Sequence, residues 1–343
     1  MDFFNKKNVN DSSLSISEEF AKKIKAQQKR DKMFKDAPII VLAVTVILAS
    51  IFVDGFFSMT NLNNILNQIS IPLVLATGLT FVIIIGSIDL SLEGVMGLAG
   101  SLTSLLVLNN KNDNNYGLLA FIIVLAICTA IGALTGFLHV KMRIPSFIVT
   151  FGIGSVATGF GIMSYMGKPA TVLDPSFANI SGGSFLGIPY LTYFAFLVFA
   201  FGIFLQNYTA FGRALYAIGD NEAIVKSTGI NINLVKIRIF AFCAFCAAVA
   251  GIFGAIRLER GEVSIGLNNL FTTITALVVG GASLAGGKGG MRQSIIGVLI
   301  ITVLQNCMIL IGVNPYIQEA VKGVIIILAV SLSIERNHKL IVK

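Results

Sequence analysis

The chain is 343 residues long; 12% are charged and 55% hydrophobic, with 34 glycines and with 25 Lys and Arg against 17 Asp and Glu. An average soluble domain is about a quarter charged, so half that charge over above-average hydrophobicity excludes a water-soluble globule, a disordered chain and a disulfide scaffold. Residues 1–37 hold 15 of the 42 charges, nine basic and six acidic, and beyond Asp36 the composition is that of a membrane protein.

The polar leader, 1–37, lacks the pattern of a secretory signal peptide. Within it Ser15 and Glu18 have capping-box spacing, and a short helix is predicted through Glu19, Phe20, Ile24 and Lys29, stopping before Pro38. Phe20 and Ile24 give it a weak apolar stripe, so it is expected either to be solvated or to lie on the membrane surface.

A bilayer core about 30 Å thick needs roughly 20 apolar residues per helix. Charge-poor runs of that kind fall near 38–57, 65–85, 94–108, 117–138, 145–166, 190–206, 237–256, 269–285, 293–312 and 316–334. They predict an all-α polytopic membrane protein with about ten transmembrane helices spanning 38–334, followed by a tail, 335–343. The third run is short and the last contains Glu319 and Lys322. Alternate loops carry 20 Lys and Arg on one side against four on the other, with Lys322 left within a span. This asymmetry places both termini in the cytoplasm. The net charge of +8 then records topology and attraction to anionic membrane lipid; it is no nucleic-acid footprint.

Breakers interrupt several spans: Pro72, Gly78 and Gly86; Pro145, Gly152, Gly154, Gly159 and Gly161; Gly280 and Gly281. Irregular backbone at membrane depth is tolerated where protein buries it or a water-filled cavity touches it. Gly94, Gly97 and Gly100, or Gly132 and Gly136, would let helices approach closely. A weak echo also links the apolar-to-glycine passages 79–94 and 277–290, a pattern consistent with the internal repeats of transporters. Cys128, Cys243, Cys246 and Cys307 all sit inside apolar runs, where a thiol behaves as a small hydrophobe. The CxxC spacing of Cys243 and Cys246 has no second pair and no nearby His, so packing is expected rather than metal or redox chemistry.

Ionisable groups at membrane depth are costly and mark function or pairing. Asp89 and Glu93, four apart, would share one helical face, and the plainer reading puts both at a cytoplasmic span end within reach of water. Glu319 and Lys322 have the spacing of an intrahelical pair. Asn64, Gln68, Gln305 and Asn306 either line a hydrophilic path or bind neighbouring helices. No catalytic residue, metal site or cofactor is indicated: His139 and His338 fall at span edges, and neither HExxH nor GxSxG occurs. Gly286-Gly287-Lys288-Gly289 fails as a phosphate loop, since no GxxxxGK[ST] register fits. Nucleotide energy, if used, must come from another chain.

The longest predicted cytoplasmic loop, about 207–236, contains Asp220 or Asn221 as the cap of a short helix that Gly229 terminates. Its segment GRALYAIGDNEAIVKSTGIN resembles the cytoplasmic loop of permeases in bacterial ABC sugar importers, the ribose, xylose, arabinose and galactoside group. Three further blocks agree in order: FFSMTNLNNILNQISIPLVLATGLTFVIIIGSIDLSLEGVMGLAG at 56–100, IPSFIVTFG at 144–152 and VVGGASLAGGKGG at 278–290.

The resemblance implies the ABC importer permease fold, similar to the vitamin B12 class. Its partners would be ABC ATPase subunits, an extracytoplasmic solute-binding protein and a second permease subunit, in a bacterial cell membrane. It implies that Gly219, Asn221, Glu222, Ala223 and Gly229 belong to the ATPase-coupling loop. Asp89, Leu90 and Ser91 match the family's most recognisable membrane motif, so Asp89, Ser91, Glu93, Asn64, Gln68 and Asn306 are candidates for the translocation path or gate. Ser87 and Asp220 stand where the family commonly has glycine, which leaves the solute open. The competing reading is a stand-alone secondary transporter or channel, whose relay would have to use Asp89, Glu93, Glu319 and Lys322.

Overall fold

The computed structural model describes residues 37–333. The leader helix predicted from Ser15 and the tail with His338 lie outside the described residues. A helix covers each of the ten apolar runs: α1 (Ala37–Phe52), α2 (Met59–Ile84), α3 (Leu92–Leu106), α4 (Leu118–Met142) and α5 (Ser146–Ser164). After the short α6 (Pro175–Gly182) come α7 (Tyr190–Tyr208), α8 (Ala210–Ser227), α9 (Ile232–Leu258), α10 (Asn269–Val279), α11 (Met291–Leu310) and α12 (Pro315–Ser333). Among the described residues six are long and apolar enough to cross a membrane, namely α2, α4, α5, α7, α9 and α11. About ten transmembrane helices are expected; each of the ten runs forms a helix, and among the described residues six helices have the length and apolar character of a span. Helices α1, α3 and α10 are shorter because their runs are cut by Gly55, by the 85–91 segment and by the glycines from 280 onward.

The centre of the bundle is α9, which packs on α4, α3 and α2. Its apolar window is 89% buried and that of α2 78%, against 28% for α4, α5 and α7, so the first two form the core and the other three present lipid-type surfaces. Small residues set the separations. A Cβ at Gly136 of α4 would lie 2.7 Å from Ile237 Cα of α9, and one at Gly132 would lie 2.5 Å from the Phe240 carbonyl oxygen. The close approach read from these two glycines is therefore between α4 and α9.

Helix α10 starts beside the first turn of α3. The chain leaves α9 and forms β4 (Arg260–Gly261), which pairs antiparallel with β1 (Ala170–Thr171). It then runs back along α3: Gly261 lies against Ser104, Val263 against Gly97 and Gly266 against the Glu93 backbone. There α10 begins, and its 11 residues rise only about 17 Å, half a bilayer. A second small hairpin, β2 (Ser184–Phe185) with β3 (Ile188–Pro189), precedes α7.

The echo between 79–94 and 277–290 reaches the backbone. Gly86 (φ +70°) and Gly281 (φ +101°) each follow a helix end. The next N–H bonds back five residues in both places, Ser87 to Val82 and Ala282 to Leu277, the Schellman pattern.

Candidate functional site

Past Gly86 the chain is irregular until α3 begins at Leu92. Asp89 lies in this segment and is 1% exposed. Its Oδ1 accepts from the Ser91 N–H at 2.9 Å and the Ser91 hydroxyl at 2.6 Å, and the Cys243 thiol of α9 lies beside the carboxylate. The first turn of α5 holds the segment from the other side: Ile88 N–H donates to Ser146 Oγ at 3.3 Å and Leu90 N–H to Thr150 Oγ1 at 3.0 Å. Three of the N–H groups freed by the missing helix, those of Ile88, Leu90 and Ser91, thus find side-chain acceptors, as burial favours.

Two expectations are corrected here. Asp89 and Glu93 do not share a helical face, because the αL glycine ends α2 and Asp89 is outside α3. Nor does Asp89 stand in water at a span end. Glu93, in the first turn of α3, accepts from the Leu270 N–H at 3.0 Å through Oε1. It therefore caps α10, supplying negative charge where that helix has unbonded donors. Beside it a cleft of about 290 Å³ opens between α3 and α5, lined by Leu90, Glu93, Phe151, Ser155 and Thr158.

The other path candidates separate. Asn306 of α11 is 2% exposed and forms a two-way amide pair with Asn61 of α2, at 2.9 and 3.1 Å. It binds a neighbouring helix. Asn64 is exposed and Gln68 half-buried on the same half of α2. Glu319 and Lys322 form their intrahelical pair at 2.8 Å. Asp89, Glu93 and this pair are held by three different sets of partners.

The 207–236 region is mostly helical, contrary to its reading as a loop with one short helix. Thr209 caps the additional first stretch of α8, its Oγ1 accepting from Gly212 N–H at 3.2 Å, and Ala214, Leu215 and Ile218 bury one face. At Asn221 the backbone turns extended (φ −157°, ψ 97°), and Asn221 Oδ1 accepts from Ala223 N–H at 3.0 Å and Ile224 N–H at 3.2 Å. Asn221 is the cap of the second stretch, which ends before Gly229 at φ +79°. Glu222 pairs with Lys236 Nζ at 2.8 Å. Ala223 is exposed, and so are Ile224 (63%) and Ile230 (40%).

The first stretch sits on the ends of two distant segments. Gly219 is pressed against the Ile84 carbonyl of α2, where no Cβ fits, and Gly287 N–H donates to that same carbonyl at 2.8 Å. Tyr216 donates its hydroxyl to Gly289 O at 2.8 Å, and Gln206 Oε1 accepts from Met291 N–H at 2.8 Å. Burial raises the Tyr216 phenol above its ordinary value, so it stays the donor. The Gly286–Gly289 stretch spends its Gly287 N–H on the protein rather than forming an anion cradle. Sequence reasoning missed Cys243, Ser146, Thr150, Tyr216, Gln206 and Asn61. Only the four-residue spacing of Ser146 and Thr150 within the 144–152 block carried a local signal.

Together these features define a multi-pass membrane protein with irregular backbone held by side chains at its centre and a helical appendage joined to it. The family model described as branched-chain amino acid transport system / permease component matches residues 61–330, and the chain belongs to that family. It is 35% identical over 302 residues to the ribose import permease protein RbsC of Escherichia coli (strain K12), covering 87% of this chain and 93% of the relative. Identity is 33% over 320 residues to RbsC of Bacillus subtilis (strain 168), covering 92% and 98%. To the galactose/methyl galactoside import permease protein MglC of E. coli (strain K12) it is 32% over 315 residues, covering 87% and 94%. No solved structure matches the chain. Its role is transport, not catalysis, in a cell membrane.

Proposed function

We propose that this chain is the membrane-spanning permease subunit of an ATP-driven importer for a monosaccharide or related small polar solute. The observation that carries the reading is α8, whose second stretch exposes Ala223 and Ile224, with Ile230 exposed just beyond it, outside the apolar spans, while its first stretch grips the end of α2 and the 280–290 loop. Exposed apolar groups on a capped helix outside the bilayer fit a soluble partner. Gly219, Asn221, Glu222, Ala223 and Gly229 form this coupling handle. The names of the relatives support a sugar as the solute class.

The expected assembly has two permease subunits, ABC ATPases below and a solute-binding protein above. The fold would be the ten-span permease type similar to vitamin B12 importers, with leader and tail cytoplasmic. ATP-driven closure of the ATPases would push the two handles together, and the bundles would rock to release solute inward. Through Gly219 on Ile84, such a push bears directly on the segment holding Asp89 and Ser91, which act as the gate of the path.

The test is reconstitution with the ATPase and binding protein. Gly219→Val with Glu222→Trp is expected to lower solute-stimulated ATPase activity and uptake together by at least about tenfold, a loss of about 1.4 kcal/mol of coupling. Unchanged coupling sinks the assignment. A stand-alone secondary transporter is disfavoured by the separation of Asp89, Glu93 and the Glu319–Lys322 pair, which share no relay.

A further inference from the structure

The cleft between α3 and α5 contains an ionisable group whose hydrogen bonding is half used. Glu93 Oε1 takes the Leu270 N–H, while among the described residues nothing bonds Oε2. A carboxylate in the interior of a membrane bundle is expensive unless a partner or a path accounts for it. Capping α10 accounts for one oxygen. The remaining lining is amphipathic: Ser155 and Thr158, three apart on α5, face the same cleft as the Phe151 ring, and Leu90 closes one wall. The Ser155 hydroxyl donates to Phe151 O at 3.0 Å and keeps its lone pairs for an incoming donor.

We infer that this cleft is a subsite for a neutral polyhydroxylated ring, with Glu93 Oε2 as hydrogen-bond acceptor and Phe151 covering the apolar C–H face. The inference rests on the transport reading above and adds the residues that would touch the solute. The volume of about 290 Å³ is at the small end of ligand pockets and suits a single sugar ring. A carboxylate oxygen accepts from hydroxyls with charge-assisted strength, and the α10 donors already offset part of its charge. A neutral polyol therefore fits better than a cation. Binding through one charged acceptor and two hydroxyls is weak, as a path that must release its solute requires.

The test uses full-length permease in proteoliposomes with its ATPase and binding protein, and D-ribose and D-galactose as probes. Ser155→Cys and Thr158→Cys are treated with a cationic, water-soluble methanethiosulfonate reagent, against the unsubstituted protein as background. Both thiols are expected to label, and the sugar that the vesicles take up is expected to slow labelling. Glu93→Gln keeps an acceptor for Leu270. It is expected to raise the KM for uptake about tenfold, the loss of one charge-assisted hydrogen bond, and to lower the thermal midpoint only slightly, through the charge lost at the start of α10. Absence of labelling makes the cleft lipid-facing and overturns the subsite. Labelling that a transported sugar leaves unchanged, or an unaltered KM in Glu93→Gln, overturns the subsite alone. Uptake of neither sugar overturns the transport reading and the subsite with it.

Discussion

Asp89 shows how a carboxylate is kept inside this bundle: Ser91 supplies an N–H and a hydroxyl, and the Cys243 thiol lies beside it. Asp89→Asn retains an oxygen for Ser91 and is expected to fold. Asp89→Leu leaves those donors without an acceptor and is expected to cost about 1–3 kcal/mol, read as a lower thermal midpoint in detergent. The Asn61–Asn306 pair makes a sharper case, because its two amides satisfy each other. Asn306→Leu alone is expected to destabilise by about 1 kcal/mol, while the double replacement of both by Leu recovers part of that loss, since the two amides leave together and only the Phe56 carbonyl, which Asn61 Nδ2 also bonds at 2.8 Å, loses its donor. A double mutant as unstable as the sum of the singles would contradict this account. Asn306 was read as either a path residue or a helix binder, and a single sequence has no means to choose. Its partner is 245 residues away.

At the scale of elements, glycine decides which helices touch. Gly132→Leu is expected to force α4 off α9, since the Phe240 carbonyl occupies the space a side chain needs; the overpacking costs about 1–3 kcal/mol and shows as a lower thermal midpoint. The broken α8 is a local matter and was legible: Asn221 and Gly229 are ordinary start and stop residues. Asn221→Ala removes the acceptor for Ala223 and Ile224 N–H. About 1 kcal/mol of capping is lost, and stimulation of the partner ATPase should fall before bilayer insertion or expression does. The first stretch of α8 was not legible, because its apolar residues bury against α2 and the 280–290 loop rather than against a neighbour in sequence.

For the whole molecule, the uneven Lys and Arg distribution carries the orientation. Protease-cleavable tags at residues 1 and 343 are both expected to be cut only from the cytoplasmic side, checked in inside-out against right-side-out vesicles. Cleavage of the two tags from opposite sides would require an odd number of spans and remove the basis for a cytoplasmic α8. The Glu319–Lys322 pair at 2.8 Å keeps α12 compatible with a bilayer, because the two charges meet within one helix.

Composition and local spacing determined the membrane class, the ten apolar runs, a helix start at Asp220 or Asn221, the breaker at Gly86 and the pairing in α12. Each of these depends on residues within a few positions of one another. Tertiary structure alone decided that Asp89 is buried, that α10 starts beside α3 and that Glu93 caps it. The partner of Glu93 is a backbone N–H 177 residues further along. Every residue except proline carries such a donor, so the sequence holds no mark of the one that α3 and α10 bring together.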